Sequence, residues 1–328
     1  KKRKRRMLNS FLYHKGKPLE TNITRAQMLQ TLQEKDAVLW VDLEDPTEFE
    51  SETLVEIFNF HDLAIEDCLE DNPHPKVDDY EEYLFMVAHA LRGGLESSLK
   101  VLELDIFLGK NFVVTFHKEA IRSISQLREN AAKKPDAYFG QGPDQLVYFM
   151  LDQLVDCYSP VLDEYDAKIE SLEDAIFENP HPNVLATLVE VKRDIFHLKR
   201  IIAPERDMVN HLTRNPTIFI KPKHLIYYRD VYDHLFRLYG IVEGFHEMLN
   251  SMLQAYYSHS SFRLNEMIQR MTVLATLSMP AVMIASIYGM NFHSMPELSW
   301  RYGYFFALGL MFFISIGMLV WMKYKKWI

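Results

Sequence analysis

A chain of 328 residues, 48% of them hydrophobic, is long enough for two or three domains and for a sizeable core. Lys1–Arg6 and the residues after Trp300 hold ten basic residues and no acidic ones, which leaves 26 basic against 44 acidic residues between 7 and 296, a net of −18 where the whole chain has −9. That balance excludes a nucleic-acid surface and suits cations, and two cysteines without Cys-x-x-Cys spacing, Cys68 and Cys157, exclude a disulfide framework and a thiolate zinc cage of that kind.

The first residues, KKRKRR, have no apolar stretch after them and read as a basic solvated tail rather than a secretory signal. AVLWVD (37–42) is a short apolar strand. Residues 53–60 and 63–70 read as helices, and 83–91 and 101–108 as strands. Gly109-Lys110-Asn111 is a hairpin turn into a further strand, 111–117. This order predicts an α/β domain over residues 1–140, a sheet flanked by helices. From 145 to 178 apolar residues recur at helical spacing, Pro180-His181-Pro182 breaks the pattern, and 183–212 forms a second helix with Pro204 inside it. The pair predicts an antiparallel helical hairpin over 141–220. The string NPHP occurs twice with unlike flanks, so it marks turns and not a repeat, and the 13 histidines offer no His-x-x-x-His metal spacing in the acidic part of the chain.

Pro222 can open a third helix, and from Leu225 to Gly289 only Pro280 interrupts it. About 65 residues at 1.5 Å each give roughly 98 Å, far more than a membrane is thick. Met271–Met290 and Tyr302–Met322 contain no charged residue, and each is about the length that crosses a hydrocarbon core. The expected layout is a stalk and pore helix over 221–290 with the first span at 271–290, an external loop at 291–301, a second span at 302–322 and a basic tail at 323–328. Lys323, Lys325 and Lys326 follow the second span and Arg263 and Arg270 precede the first, which places both termini in the cytoplasm of an inner-membrane, multi-pass protein. Trp300, Tyr302, Tyr304, Trp321 and Trp327 fit interfacial anchors in the lipid bilayer.

Two spans cannot enclose a pore, so any pore needs several chains around it. Counting from Ser286 toward the N-terminus at coiled-coil spacing gives Val282, Met279, Ala275, Met271 or Thr272, Ile268 and Asn265. This small, flexible stripe reads equally well as a pore lining or as an ordinary helix–helix seam.

YGMN at 288–291, followed by MPEL at 295–298, resembles the CorA family of magnesium and cobalt channels, in which Gly-Met-Asn ends the first of two C-terminal membrane helices. KYKKWI after the second span, RDVYDH at 229–234, and IEDCL at 65–69 with PKV at 75–77 are also similar to that family, so the resemblance covers nearly the whole chain.

The resemblance implies a CorA-like, funnel-shaped homopentamer and a divalent cation channel that takes up Mg²⁺, and also Co²⁺ or Ni²⁺, down the electrochemical gradient. It implies a filter at Gly289, Met290 and Asn291, with Glu297 in the external loop raising local cation concentration, and a pore and gate along Asn265, Ile268, Met271, Thr272, Met279 and Val282. It also implies a regulatory metal site of Asp67 and Asp230 between neighbouring subunits, assisted by Glu66. Two alternatives stand beside it: a zinc transporter of the same superfamily and a membrane-anchored homologue that does not conduct. No nucleophile–base pattern, cofactor motif or Gly-x-x-x-x-Gly-Lys phosphate loop points to an enzyme or an ATP-driven pump.

Overall fold

In a computed structural model, residues 8–328 are described apart from 35, 71–73, 95–98, 179–181, 216, 292, 294, 297, 298, 326 and 328, and apart from the side chains of 48, 49, 178 and 182. The chain divides into two compact units, residues 1–252 and 253–328.

The first unit is built on a seven-stranded sheet: β1 (Leu8–His14), β2 (Glu20–Thr21), β3 (Ala37–Glu44), β4 (Lys76–Asp79), β5 (Leu84–Arg92), β6 (Lys100–Leu108) and β7 (Phe112–His117). The strand order is β2-β1-β3-β7-β6-β5-β4, with β3 and β7 parallel and every other pair antiparallel. β3 lies inside the sheet, and all its residues but Glu44 are buried because it is covered on both faces. Leu39, Val41 and Leu43 join a core with Leu54, Ile57, Phe60, Ala64 and Cys68 from α2 (Glu48–Glu56), α3 (Asp62–Leu69) and the turn between them. On the other face the Trp40 ring lies 6.4 Å from Phe139 of α5 (Pro135–Phe139).

Local chemistry starts the helices where they start. Thr24 and Gln27 form a capping box ahead of α1 (Arg25–Thr31), and Thr47 and Glu50 form another ahead of α2, each satisfying backbone N–H groups that a first helical turn leaves open. The expected hairpin turn joins β6 to β7, with the Gly109 N–H donating to the Phe112 carbonyl at 2.9 Å.

α4 (Arg122–Lys133) leads through α5 to α6 (Pro143–Asp156) and α7 (Tyr158–Glu178). The region expected as one helix from 145 to 178 is therefore two, parted at Cys157. α8 (Pro182–Arg214) runs uninterrupted through Pro204. A short 3₁₀ turn, Pro222–His224, opens α9 (Leu225–Tyr288), and α10 (Gly303–Tyr324) closes the described helices. α9 contributes its residues up to Met252 to the first unit and the remainder to the second. Among the described residues, α9 with its opening turn and α10 are long and apolar enough to cross a membrane.

Candidate ion pathway and regulatory metal site

In the second unit, Ser315 of α10 donates its hydroxyl to the Leu277 carbonyl of α9 at 3.2 Å, which fixes the side of α9 that meets its partner helix. Ile284, seven residues on, is buried on that same side. Ala275 and Met279 stand two residues either way from Leu277, about 200° round the helix. The expected stripe, Asn265, Ile268, Met271, Thr272, Ala275, Met279, Val282 and Ser286, is exposed throughout, with Met279 70% exposed. The side of α9 turned away from α10 is therefore apolar and uncovered within one chain. The hydroxyls of Thr272, Thr276 and Ser278 donate to carbonyls four residues back on their own helix, at 2.8, 2.7 and 2.8 Å, so they add little polarity to this surface.

α9 ends at the glycine motif. The Gly289 N–H donates to the Ala285 carbonyl at 3.0 Å and the Met290 N–H to Ile287 at 3.2 Å, a last turn that tightens as it closes. A Cβ at Gly289 would lie 3.3 Å from the Ala285 carbonyl oxygen, so the tight turn itself favours glycine. Met290 and Asn291 are both exposed just beyond the helix. Glu297 lies outside the described residues.

The first unit holds the two expected regulatory residues in different settings. Asp67, half-buried on α3, accepts a hydrogen bond from Lys76 Nζ at 2.6 Å, and the same ammonium lies 3.1 Å from Asp78. Burial works against the Lys76 charge, but its bonds to Asp67 and Asp78 outweigh that and raise its pKa. Glu66 is exposed beside Asp67.

Asp230 is exposed on the second turn of α9, and its charge acts on Tyr148 and Asp152 of α6. Asp144 determines this placement. It is fully buried at the start of α6 and accepts from the Lys221 backbone N–H at 2.9 Å and from His224 Nδ1 at 2.6 Å, while Tyr228 donates to its carbonyl. With the two helices tied there, Asp152 and Asp156, one turn apart on α6, come into the field of Asp230. Burial raises the Asp152 pKa, and the charges of Asp156 and Asp230 raise it further against the opposing pull of His234. Burial, and then the charges of Asp152 and Asp230, push Tyr148 up to about 12. His234 Nδ1 lies 3.6 Å from Asp156. Asp152 and Asp156 were not singled out by the sequence, where their local signal is the acidic i,i+4 pair on α6; His234 closes the RDVYDH segment.

Among the described residues, one group, Asp42, Glu44 and His117, brings three ligand-type atoms within 4.8 Å of one another. Arg128 already fills it, donating to Asp42 at 2.7 Å and to Glu44 at 2.9 Å, while Thr115 and His117 bond the remaining Asp42 oxygen. This is a satisfied internal ion-pair network rather than a metal centre.

The sequence pattern of the family described as "CorA-like Mg2+ transporter protein" matches residues 35–325. The chain belongs to the CorA family. Its members are transporters or channels, not enzymes. Among its relatives, the putative metal ion transporter YfjQ of Bacillus subtilis is 37% identical over 288 residues, 88% of this chain and 89% of that one. The cobalt/magnesium transport protein CorA of Thermotoga maritima is 34% identical over 276 residues, 83% of this chain and 78% of that one. The complete structure of the CorA magnesium transporter from Methanocaldococcus jannaschii superposes with a TM-score of 0.85 at 21% identity, covering 98% and 99% of the two chains, and so shares this fold of N-terminal α/β domain, long helix and C-terminal membrane helix. The ZntB cytoplasmic domain from Vibrio parahaemolyticus superposes at 0.59 with 12% identity over 77% of this chain, a likeness of fold alone.

Proposed function

We propose that this CorA-family chain is one subunit of a homopentameric channel that carries Mg²⁺, and also Co²⁺ or Ni²⁺, into the cell down the electrochemical gradient. The observation that carries this reading is the uncovered apolar side of α9, opposite α10, leading to an exposed Asn291 at the helix end. A chain with this arrangement completes its packing against copies of itself, and Asn291 then recurs around an axis. The names of the Thermotoga and Bacillus relatives support metal-ion transport as the activity.

Mg²⁺ is small, prefers octahedral oxygen coordination and gives up water reluctantly. A ring of Asn291 amides selects it by accepting hydrogen bonds from its water shell, which spares the dehydration cost and lets the ion leave. Gly289 closes the last helical turn and Met290 packs behind the ring, since a thioether is too soft a donor for Mg²⁺. Glu297 raises the local cation concentration at the outer mouth. Below the filter, Val282, Met279, Met271 or Thr272 and Ile268 form narrow, largely apolar rings that close by dewetting, with Asn265 as the polar ring at the inner end. The chain sits in the inner membrane with both termini in the cytoplasm.

Closure by intracellular Mg²⁺ follows from the acidic residues of the first unit. Asp67 of one subunit, with Glu66 beside it, faces Asp230 of the next, and the carboxylates repel unless a divalent cation lies between them. Asp152 and Asp156 deepen the same negative field. Bound Mg²⁺ favours the closed assembly, and its loss releases the repulsion, a population shift driven by differential binding.

The test is Mg²⁺ influx into liposomes carrying the purified protein, comparing wild type with Asn291→Ala and with the Asp67→Ala/Asp230→Ala pair at low and high Mg²⁺ on the cytosolic face. Loss of flux in the first and weakened Mg²⁺ inhibition in the second support filter and sensor. A folded oligomer without flux in any variant identifies a non-conducting homologue. Uptake of Zn²⁺ that Mg²⁺ does not compete identifies a zinc transporter.

A further inference from the structure

A cavity of about 360 Å³ lies beside β6 in the first unit, apart from both the proposed filter and the Asp67–Asp230 site. Its wall brings together Cys68 of α3, His89 of β5, and Glu103 and Asp105 of β6, and it opens to solvent past Lys118 and Glu119. The sheet register explains the assembly. Glu103 and Asp105 are two residues apart on one strand and share a face. His89 stands directly opposite Glu103 on β5 and points to the same face. Cys68 reaches that face from α3, in the core that covers it. Cys68 and Asp105 are each 1% exposed. The Oδ1 atom of Asp105 is buried at this wall without a hydrogen-bond partner. Burial and the neighbouring Glu103 charge raise the Asp105 pKa, and its carboxyl is hydrogen-bonded to Cys68 and Glu103, so the donors already converge while one buried oxygen keeps an open valence toward the cavity.

We propose that this cavity binds a borderline transition-metal dication of the Co²⁺, Ni²⁺ or Zn²⁺ type, with Cys68 Sγ and Asp105 as the principal ligands and with Glu103 and His89 exchanging their present contacts for the ion to complete the shell. A thiol, an imidazole and two carboxylates form a mixed sulfur, nitrogen and oxygen donor set, which suits these ions and not Mg²⁺, whose preference is for oxygen alone. No three of these donors lie within 4.8 Å of one another, so the site is an open cradle that the ion draws closed. Glu103, only partly buried at the rim, is the side chain with room to move. Binding releases the Cys68 thiol proton to solvent as the thiolate coordinates, and the metal keeps its oxidation state. The fourth position of IEDCL, Cys68, thereby gains a use beyond packing, directly after Asp67 on the same helix. An ion held there ties α3 to β6 and gives the chain a means of telling Co²⁺ from Mg²⁺ outside the pore.

The experiment is a Co²⁺ titration of the full-length protein in detergent under reducing conditions, read by the near-ultraviolet charge-transfer absorption of a cobalt–thiolate bond. The expected result is one such site per chain that excess Mg²⁺ does not displace and that survives in Cys157→Ser and in Asp67→Ala/Asp230→Ala. Cys68→Ser abolishes the band. Asp105→Asn, nearly the same in shape, keeps the thermal midpoint and weakens Co²⁺ binding by about tenfold or more. No band in wild type, a band that persists in Cys68→Ser, or one lost in the Asp67→Ala/Asp230→Ala pair overturns the proposal. The last two controls separate its failure from failure of the Mg²⁺ sensor, which is read by flux.

Discussion

The Tyr158 hydroxyl oxygen lies 2.5 Å from Oε2 of Glu205 and 2.6 Å from the His89 carbonyl oxygen, all three groups being buried. The His89 backbone N–H donates to the other Glu205 oxygen at 3.3 Å. A phenol has one proton for two acceptors. A neutral Glu205 that donates to Tyr158, which then donates to His89, leaves no acceptor competing. Burial pushes the Glu205 pKa up to about 7, against the pull of its hydrogen bonds from Tyr158 and His89.

Because that folded pKa lies above the unfolded value of about 4.3, folding takes up a proton between the two. The stabilisation is complete below about pH 4.3 and is lost as pH rises through 7, up to about 3 kcal/mol in all. The thermal midpoint of the purified protein is expected to fall between pH 5 and 8. Glu205→Gln, which keeps a donor toward Tyr158, is expected to flatten much of that slope. An unchanged slope in the variant would show that Glu205 is ionised throughout.

The bond from Lys76 to Asp67 sets a second expectation. An ammonium 2.6 Å from the proposed Mg²⁺ ligand competes with the ion for the same carboxylate. Lys76→Met removes the competitor and leaves Asp67 and Asp78 more negative. In the proposed channel, Mg²⁺ at the cytosolic face should then inhibit flux at concentrations lower by up to about tenfold, a change of ~1.4 kcal/mol in binding. Flux measured against cytosolic Mg²⁺ checks this. A curve shifted the other way would mean that Lys76 orients Asp67 for the ion rather than masking it.

What the sequence could disclose follows the range of its signals. The unbroken apolar helix and its Gly-Met-Asn end were legible because both are local: one is a continuous hydropathy pattern and the other three adjacent residues. β3, β5, β6 and β7 were legible for the same reason, as apolar runs bounded by turns. β4 was not, because Lys76-Val77-Asp78-Asp79 is a polar segment at the edge of the sheet, where pairing on one side demands little hydrophobicity. The break between α6 and α7 carries a local signal, Pro160 in the first turn of α7, which lacks the N–H that would continue α6, but apolar spacing runs on across Cys157 and masked it. Nor was the acidic group of Asp152, Asp156 and Asp230 legible, since it depends on Asp144 tying α6 to a segment nearly 80 residues later. Cys68 and Asp105 likewise meet only through the packing of α3 on β6.

At the proposed filter, Gly289 and Met290 are expected to respond in opposite ways. A Cβ at Gly289 would lie 3.3 Å from the Ala285 carbonyl oxygen, a backbone atom that must give by a few tenths of an ångström to admit it. Gly289→Ala should therefore shift Asn291 and lower Mg²⁺ flux, while the proposed oligomer still forms. Met290→Leu conserves volume and removes sulfur, and should conduct within about twofold of wild type. Loss of conduction in Met290→Leu would make the thioether a participant in ion passage and not a packing group.

The last prediction concerns the network that holds β3 to α4. Arg128 is the cation nearest the fully buried Asp42, whose pKa stays below the usual carboxylate range because His117, Arg128 and Thr115 overcome the opposing effect of burial. His117 is shifted up by Asp42 despite its own burial. The Asp42 share of stability is present above about pH 3.9 and lost as pH falls through its depressed pKa. The His117 share is complete below about pH 6.5 and lost as pH rises through its elevated one. The pair is strongest between those limits, and on the alkaline side His117 adds to the slope from Glu205. Arg128→Met removes one partner from a buried charge and should destabilise the folded chain by about 3 kcal/mol, the lower end for a broken buried pair because Thr115 and His117 still bond Asp42. It should also move acid unfolding to higher pH, since Asp42 then protonates more readily. Denaturant unfolding of Arg128→Met from pH 3 to 8 measures both effects. A variant as stable as wild type at neutral pH, with its acid limb unmoved, would show that Thr115 and His117 alone satisfy Asp42.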